Sequence, residues 1–243
     1  MSEPKVLLID IETSPIIAAV WALHEANAVW VESDTFLLSV AYQWLGKKTK
    51  SITLPDYHGF RKFTDRDDKP LAHDLWKLLD EAEIVIAHNG DAFDIKKINA
   101  RFAVHGFGPP SPSKTVDTLK IARSVFKFDS NKLDNLGRYL NEGRKVPNTG
   151  AALWRGCRDG ERRCWREMRG YNEQDVDLLA RVYNRLKPWA KSHPNLSLLT
   201  DRPGCPVCTS HKVHRRGWNI AKTRKTPRLQ CSACGHWFSG KAE

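Results

Sequence analysis

The sequence predicts an α/β layer fold followed by a small, separate C-terminal module. Three observations carry this. Short Val/Ile/Leu-rich runs alternate with helically periodic stretches through the first 190 residues. A polar stretch with three prolines, 188–204, then interrupts the pattern. Beyond it the helical periodicity stops and paired cysteines begin.

Lys5 to Ile11 is apolar and β-branched, as in a buried strand. Phe36 to Trp44 and Ser51 to Leu54 read as two more strands, with Gly46-Lys47-Lys48 as the turn between them. Leu71 to Ala82 places Leu71, Leu75, Leu78 and Leu79 on one helical face. Ile84 to Ala87 is a short strand, and Asp94 to His105 a helix stopped by Gly106. Val116 to Phe126 and Leu133 to Leu140 read as helices, and residues 141–160 as a long loop. Arg162 to Leu186 reads as one long helix, bent or interrupted near Gly170. The expected organisation is a domain over 1–190, a linker over 191–204 and a module over 205–243.

Composition is that of an ordinary globular chain, 41% hydrophobic and 28% charged. No apolar run reaches the roughly 20 residues of a membrane helix, so no membrane partner is expected. The N-terminus lacks a signal-peptide pattern, and a cytoplasmic location is expected. The net charge is +11, and residues 201–243 supply nine Lys/Arg against two acids. A basic block of this kind suits a polyanion, although charge alone also fits a solvated face.

Three acidic motifs punctuate the first domain. Asp10 and Glu12 end the first strand and project to the same face. Two adjacent carboxylates repel each other and resist desolvation, and a hard divalent cation such as Mg²⁺ or Mn²⁺ relieves both. Asn89 through Phe93-Asp94 follows the strand Ile84 to Ala87 and opens a helix. Tyr171 and Asp175 sit four residues apart, on one face of the long helix. Taken singly, each has a plain structural reading: a charged strand end, an N-cap, a half-buried surface Tyr.

Together, in this order, they resemble the DEDD, or DnaQ-like, exonucleases of the ribonuclease H-like fold. Asp10-x-Glu12 matches the first motif of that family, Asn89 to Asp94 the second, and Tyr171-x-x-x-Asp175 the third motif of its Tyr subclass. Gly170 stands where the His subclass has its histidine. The wording of the second motif is similar to YprB-type proteins and to proofreading domains of B-family polymerases. Val116 to Leu119 and Lys132 to Leu136 are similar to connecting segments of the same group. The resemblance covers residues 5–190 and implies a mixed central sheet flanked by helices. It further implies 3′ to 5′ hydrolysis of phosphodiesters with two Mg²⁺ or Mn²⁺ ions held by Asp10, Glu12, Asp94 and Asp175, and with Tyr171 orienting water. It implies nucleic acid as substrate, DNA ahead of RNA, and a polymerase or replication partner. Such compact chains with a C-terminal ribbon resemble phage-encoded enzymes, which would place the protein in the bacterial host cytoplasm. The alternatives are an exoribonuclease of the same superfamily and a non-catalytic nucleic-acid-binding accessory protein.

Cys205-x-x-Cys208 and Cys231-x-x-Cys234 are separated by 22 residues. Four thiolates at this spacing predict one structural Zn²⁺ and a zinc ribbon, with Gly235 in the second knuckle turn. Nucleic-acid contacts are expected from Asn89, from Trp154 and Arg155 in the basic insert 141–170, and from Arg215, Arg216, Trp218, Lys222, Arg224, Lys225 and Arg228 between the cysteine pairs. Cys157 and Cys164 read as small hydrophobes.

Overall fold

The computed structural model describes residues 4–24, 27–57 and 68–241. Val6–Thr13 forms β1, the middle strand of a five-stranded sheet. Its apolar residues at both parities have a direct cause: helices cover both faces. Leu7, Ile9 and Ile11 enter one core, while Val6 and Leu8 enter the other.

After β1 the chain leaves the sheet for a two-stranded hairpin, β2 (Ile17–Val20) and β3 (Ala28–Ser33). It returns as β4 (Leu37–Trp44), antiparallel to β1, and β5 (Lys50–Thr53), antiparallel to β4. Helix α1 (Lys69–Glu81) leads to β6 (Ile84–Ala87), parallel to β1. Helix α2 (Asp94–Val104) leads to β7 (Lys114–Asp117), parallel to β6. Helices α3 (Thr118–Val125), α4 (Leu133–Tyr139), α5 (Ala151–Arg158) and α6 (Arg162–Leu186) complete the domain. The strand order is β5-β4-β1-β6-β7, a mixed sheet flanked by helices as expected.

One core packs the sheet against α1, α2 and α5 through Leu71, Leu75, Ile98, Phe102 and Leu153. The other packs it against α3, α4 and α6 through Ile121, Leu136, Val176, Leu179 and Tyr183. Buried Asp68 locks the first layer. It accepts from Leu37 N at 2.7 Å and pairs with Arg101 at 2.5 Å and His105 at 2.6 Å, joining α1, β4 and α2.

Three expectations need correction, and one element is new. Residues 116 and 117 belong to strand β7, not to a helix; Asp117 instead caps α3, accepting from Leu119 N at 2.9 Å. Residues 141–160 are not all loop, because α5 lies within them, with Leu153 and Cys157 buried. Helix α6 runs unbroken through Gly170, where an added Cβ would meet nothing within 4 Å. The hairpin β2–β3 was not anticipated, since Ala28 to Val31 is exposed on both faces and lacks polar alternation.

The last segment forms a three-stranded sheet, β8 (Val213–Ile220), β9 (Lys225–Cys231) and β10 (Trp237–Ser239), in the order β10-β9-β8. Its small core is Cys205, Val207 and Cys231, with Cys208, Cys234 and Phe238 against it. The connecting stretch is packed rather than free: Ala190 and Leu196 are buried in the second core. Leu196 N donates to Pro206 O at 2.7 Å, and His236 Nδ1 lies 2.8 Å from Pro188 O. The module therefore sits against the end of α6.

Candidate active site

Asp10 and Glu12 continue the parity of Val6 and Leu8, so they face α6 at the strand's C-terminal end. Helix α6 meets them with Asn172 and Asp175, both buried on its inward stripe. Asp10, Glu12 and Asp175 each offer a carboxylate oxygen, and these atoms lie within 4.8 Å of one another. Asp94, the first residue of α2, is also buried; its Oδ1 accepts from Ile11 N at 3.3 Å. It opens the helix but is not its cap, a place held by Phe93. Thus the three sequence motifs meet on one side of β1, with Asp94 bound to the strand backbone between Asp10 and Glu12.

The turn before α2 has a mechanical reason for its residues. Asn89 adopts φ +66°, and its N–H donates to Asp117 Oδ1 at 2.9 Å. A Cβ on Gly90 would stand 2.4 Å from Ala87 Cβ, so only glycine fits there. His88 lies between Thr118 Oγ1, 2.8 Å from Nδ1, and Asn131 O, 3.0 Å from Nε2. The carbonyl assigns the proton to Nε2. Burial lowers its pKa to about 4.

Electrostatics mark the cluster as short of positive charge. Burial, then repulsion from Asp94, Glu12 and Asp175, holds Asp10 well above the carboxylate range. Burial and the Asp175 charge raise Glu12 to about 7. Burial raises Asp94 to about 6. Among the described residues, the buried Asp175 Oδ1 has no hydrogen-bond partner. Close, desolvated carboxylates with one orphaned oxygen fit hard divalent cations.

Two roles here escaped the sequence reading, which placed Lys145 only among the basic residues of the 141–170 insert. Lys145, from the segment before α5, donates to Asp175 Oδ2 at 2.5 Å and to Tyr171 Oη at 3.4 Å. Burial opposes its charge, but Asp175 and Asp10 outweigh burial and hold the ammonium above the usual lysine range. Asn172 donates to Asp10 Oδ2 at 2.6 Å and accepts from Ser39 Oγ at 2.7 Å. Its adjacency to Tyr171 was the one available signal; Lys145 had none beyond a basic insert. Burial, with the Asp175 charge, pushes the Tyr171 phenol up to about 12, so it stays protonated at neutral pH.

Trp154 is half-buried against the first core and donates from Nε1 to Thr13 O at 3.2 Å, whereas Arg155 is exposed. The insert's Arg169 is used structurally, pairing with Asp56 at 2.6 Å.

In the C-terminal module, Cys205 Sγ lies 3.6 Å from Cys234 Sγ, and Cys208 Sγ 3.6 Å from Cys231 Sγ. These separations are too long for disulfides and match the roughly 3.8 Å edge of a tetrahedron with 2.3 Å Zn–S bonds. Gly235 turns at φ +84°. His236 ties the module to the domain through Pro188 O. Trp218 lies between Arg215, 4.1 Å from its ring centre, and Lys225, at 4.4 Å. Arg216, Lys222, Arg224 and Arg228 are exposed on the same module.

The sequence pattern of the RNase_H superfamily matches residues 29–187, more than half of the 243-residue chain. The chain belongs to the RNase_H superfamily. The match begins after Asp10 and Glu12, whose placement in this superfamily chain comes from the strand β1 geometry above. Its structure is similar to that of the family B DNA polymerase from the hyperthermophilic archaeon Pyrobaculum calidifontis, with a TM-score of 0.54 and 16% identity. The similarity covers 77% of this chain and 25% of the polymerase chain, so it spans about a quarter of that protein. None of the curated proteins compared with it matches. No helix among the described residues is long and apolar enough to cross a membrane.

Proposed function

We propose that the protein is a metal-dependent 3′ to 5′ exonuclease acting on DNA. The observation that carries this is the convergence of Asp10, Glu12 and Asp175 within 4.8 Å, with Asp175 Oδ1 unpartnered and Tyr171 one helical turn away. Asp10, Glu12, Asp94 and Asp175 would hold two Mg²⁺ or Mn²⁺ ions, which supply Lewis-acid stabilisation of the attacking and leaving oxygens. Tyr171, protonated, positions water by hydrogen bonding rather than by abstracting its proton. Lys145 places a cation beside the reacting phosphate and partly offsets the burial and mutual repulsion that raise the carboxylates. Asn172 fixes the Asp10 carboxylate from α6. The four-cysteine module takes one structural Zn²⁺ and adds a basic, tryptophan-bearing surface for nucleic acid.

The test is digestion of end-labelled single- and double-stranded DNA and RNA with Mg²⁺ or Mn²⁺. Mononucleotides released from a 3′ end of DNA are the expected product. Internal fragments alone would make the enzyme an endonuclease, preferential loss of RNA an exoribonuclease, and no cleavage an accessory protein.

A further inference from the structure

A groove of about 1020 Å³ runs between the nuclease domain and the ribbon, lined by Phe126, Phe128, Arg185, Lys187, Trp189 and the ribbon's Trp237. We propose that it binds an unpaired nucleic-acid strand, stacking its bases along an aromatic wall remote from the carboxylates. The proposal rests on the nuclease reading for its purpose, since the strand would be the part of the substrate away from the end being cut.

The wall is a continuous run of rings. Tyr139 and Phe128 are stacked at 6.2 Å, Phe128 and Phe126 at 5.0 Å, and Phe126 meets Trp189 edge-on at 5.4 Å. Phe126 and Phe128 rest on the second core, but the outer rings reach beyond it. Trp189 is 60% exposed, Trp237 47% and Tyr139 41%. Leaving these three large side chains about half in water is the pattern of a surface that something covers.

The charge around the rings says what covers them. Arg138 lies 4.4 Å from the Tyr139 ring centre and Arg228 5.5 Å from that of Trp237. Lys127 and Lys132 are exposed on the loop carrying Phe128. The nearby acids are engaged: Asp129 accepts from the Tyr139 hydroxyl, and Glu142 pairs with Arg185 at 3.4 Å. Aromatic faces interleaved with cations are what a single strand needs, stacking for the bases and charge for the phosphates. A protein partner of the apolar kind would not call for cations above the rings.

The groove and the candidate active site share two elements, the loop after α3 and helix α6. The loop holding Phe126 and Phe128 runs on to Asn131, whose carbonyl meets His88 beside Asn89. Along α6, Arg185 follows Asp175 by ten residues, about 15 Å. Ribbon and domain stay apposed through His236 and Pro188, so Trp237 and Arg228 form a fixed second wall. The ribbon is then part of the strand path rather than a tethered grip.

The test uses full-length protein carrying Trp189→Ala, Tyr139→Ala or Trp237→Ala, all at exposed positions, with circular dichroism to verify the fold. Binding of fluorescent (dT)12 and (U)12 is read by anisotropy with Ca²⁺ in place of Mg²⁺ and without chelator, so that the ribbon keeps its metal, and kcat/KM is compared between 12-mers and 4-mers with Mg²⁺. The expectation is a loss of 12-mer affinity of about tenfold per ring, with the 12-mer to 4-mer preference falling in step. Unchanged 12-mer affinity would overturn the proposal, and so would equal losses on both lengths. If wild-type protein cut nothing yet its 12-mer binding fell in the variants, the nuclease reading would fail and the groove would stand.

Discussion

Lys145 Nζ lies 2.5 Å from Asp175 Oδ2, so the cation nearest the carboxylate cluster comes from a segment outside the three acidic motifs. Lys145→Met removes a like charge from the neighbourhood of any bound divalent ion. Mn²⁺ affinity without substrate should rise by about tenfold, the factor equivalent to 1.4 kcal/mol of relieved repulsion. Turnover should nevertheless fall about 100-fold, because the phosphate loses its cation. Calorimetry and kcat measure the two effects. Weaker Mn²⁺ binding would show instead that the lysine organises the carboxylates.

The contact between Asn172 and Asp10 separates holding a ligand from being one. Asp10→Asn should reduce kcat by about 10³-fold or more, whereas Asn172→Ala, which frees the carboxylate and leaves the Ser39 hydroxyl without its acceptor, should cost about tenfold. Equal losses would make Asn172 a participant in the chemistry. No loss in purified Asp10→Asn protein would remove this site from consideration.

Tyr171→Phe retains the ring and its packing while deleting the hydroxyl. Turnover should fall by about 10²-fold, with KM nearly unchanged. Wild-type turnover would leave the tyrosine as packing alone.

Glu12 predicts a pH effect in the metal-free protein. Its folded pKa, about 7, lies above its ordinary value of 4.5, so the native state holds the proton longer. Glu12's contribution is therefore most favourable below 4.5 and is lost as pH rises through 7. In EDTA, Glu12→Gln should melt above wild type at pH 8 and with it at pH 4. Thermal melts at the two pH values check this, and a variant equally stabilised at both would contradict it.

Removing two of the four clustered cysteines tests the proposed zinc site. In Cys205→Ser/Cys208→Ser, a core of this size should not hold without its metal. Pro188 and Leu196 would lose their ribbon partners, so Tm should fall by several degrees. Binding to DNA should also become less salt-dependent, since each lost phosphate contact removes roughly 0.9 from the slope of log K against log salt. An unchanged slope would leave protein docking as the better account of the basic module.

What was legible in the sequence was whatever local periodicity and spacing encode. Leu7 to Ile11 could only be a buried strand, and its parity set Asp10 and Glu12 on one face. Tyr171 and Asp175 shared a helix face by spacing, and two cysteine pairs announced a tetrahedral cluster. The hairpin β2–β3 escaped because its strands bury almost nothing, so burial imposed no alternation on them. Helix α5 escaped because it is only eight residues long, too short to stand alone, and Gly156 interrupts its helix formers; it is held by packing Leu153 and Cys157 into the core.

Tertiary structure alone decided which distant residues became neighbours. Nothing local links Lys145 to Asp175, Asn172 to Asp10, or His236 of the ribbon to Pro188 of the domain. Those contacts exist because β1 is covered by α6 and because His236 ties the ribbon to the end of that helix. Side-chain periodicity fixes the face a residue occupies within its element; only the packing of elements fixes what that face meets.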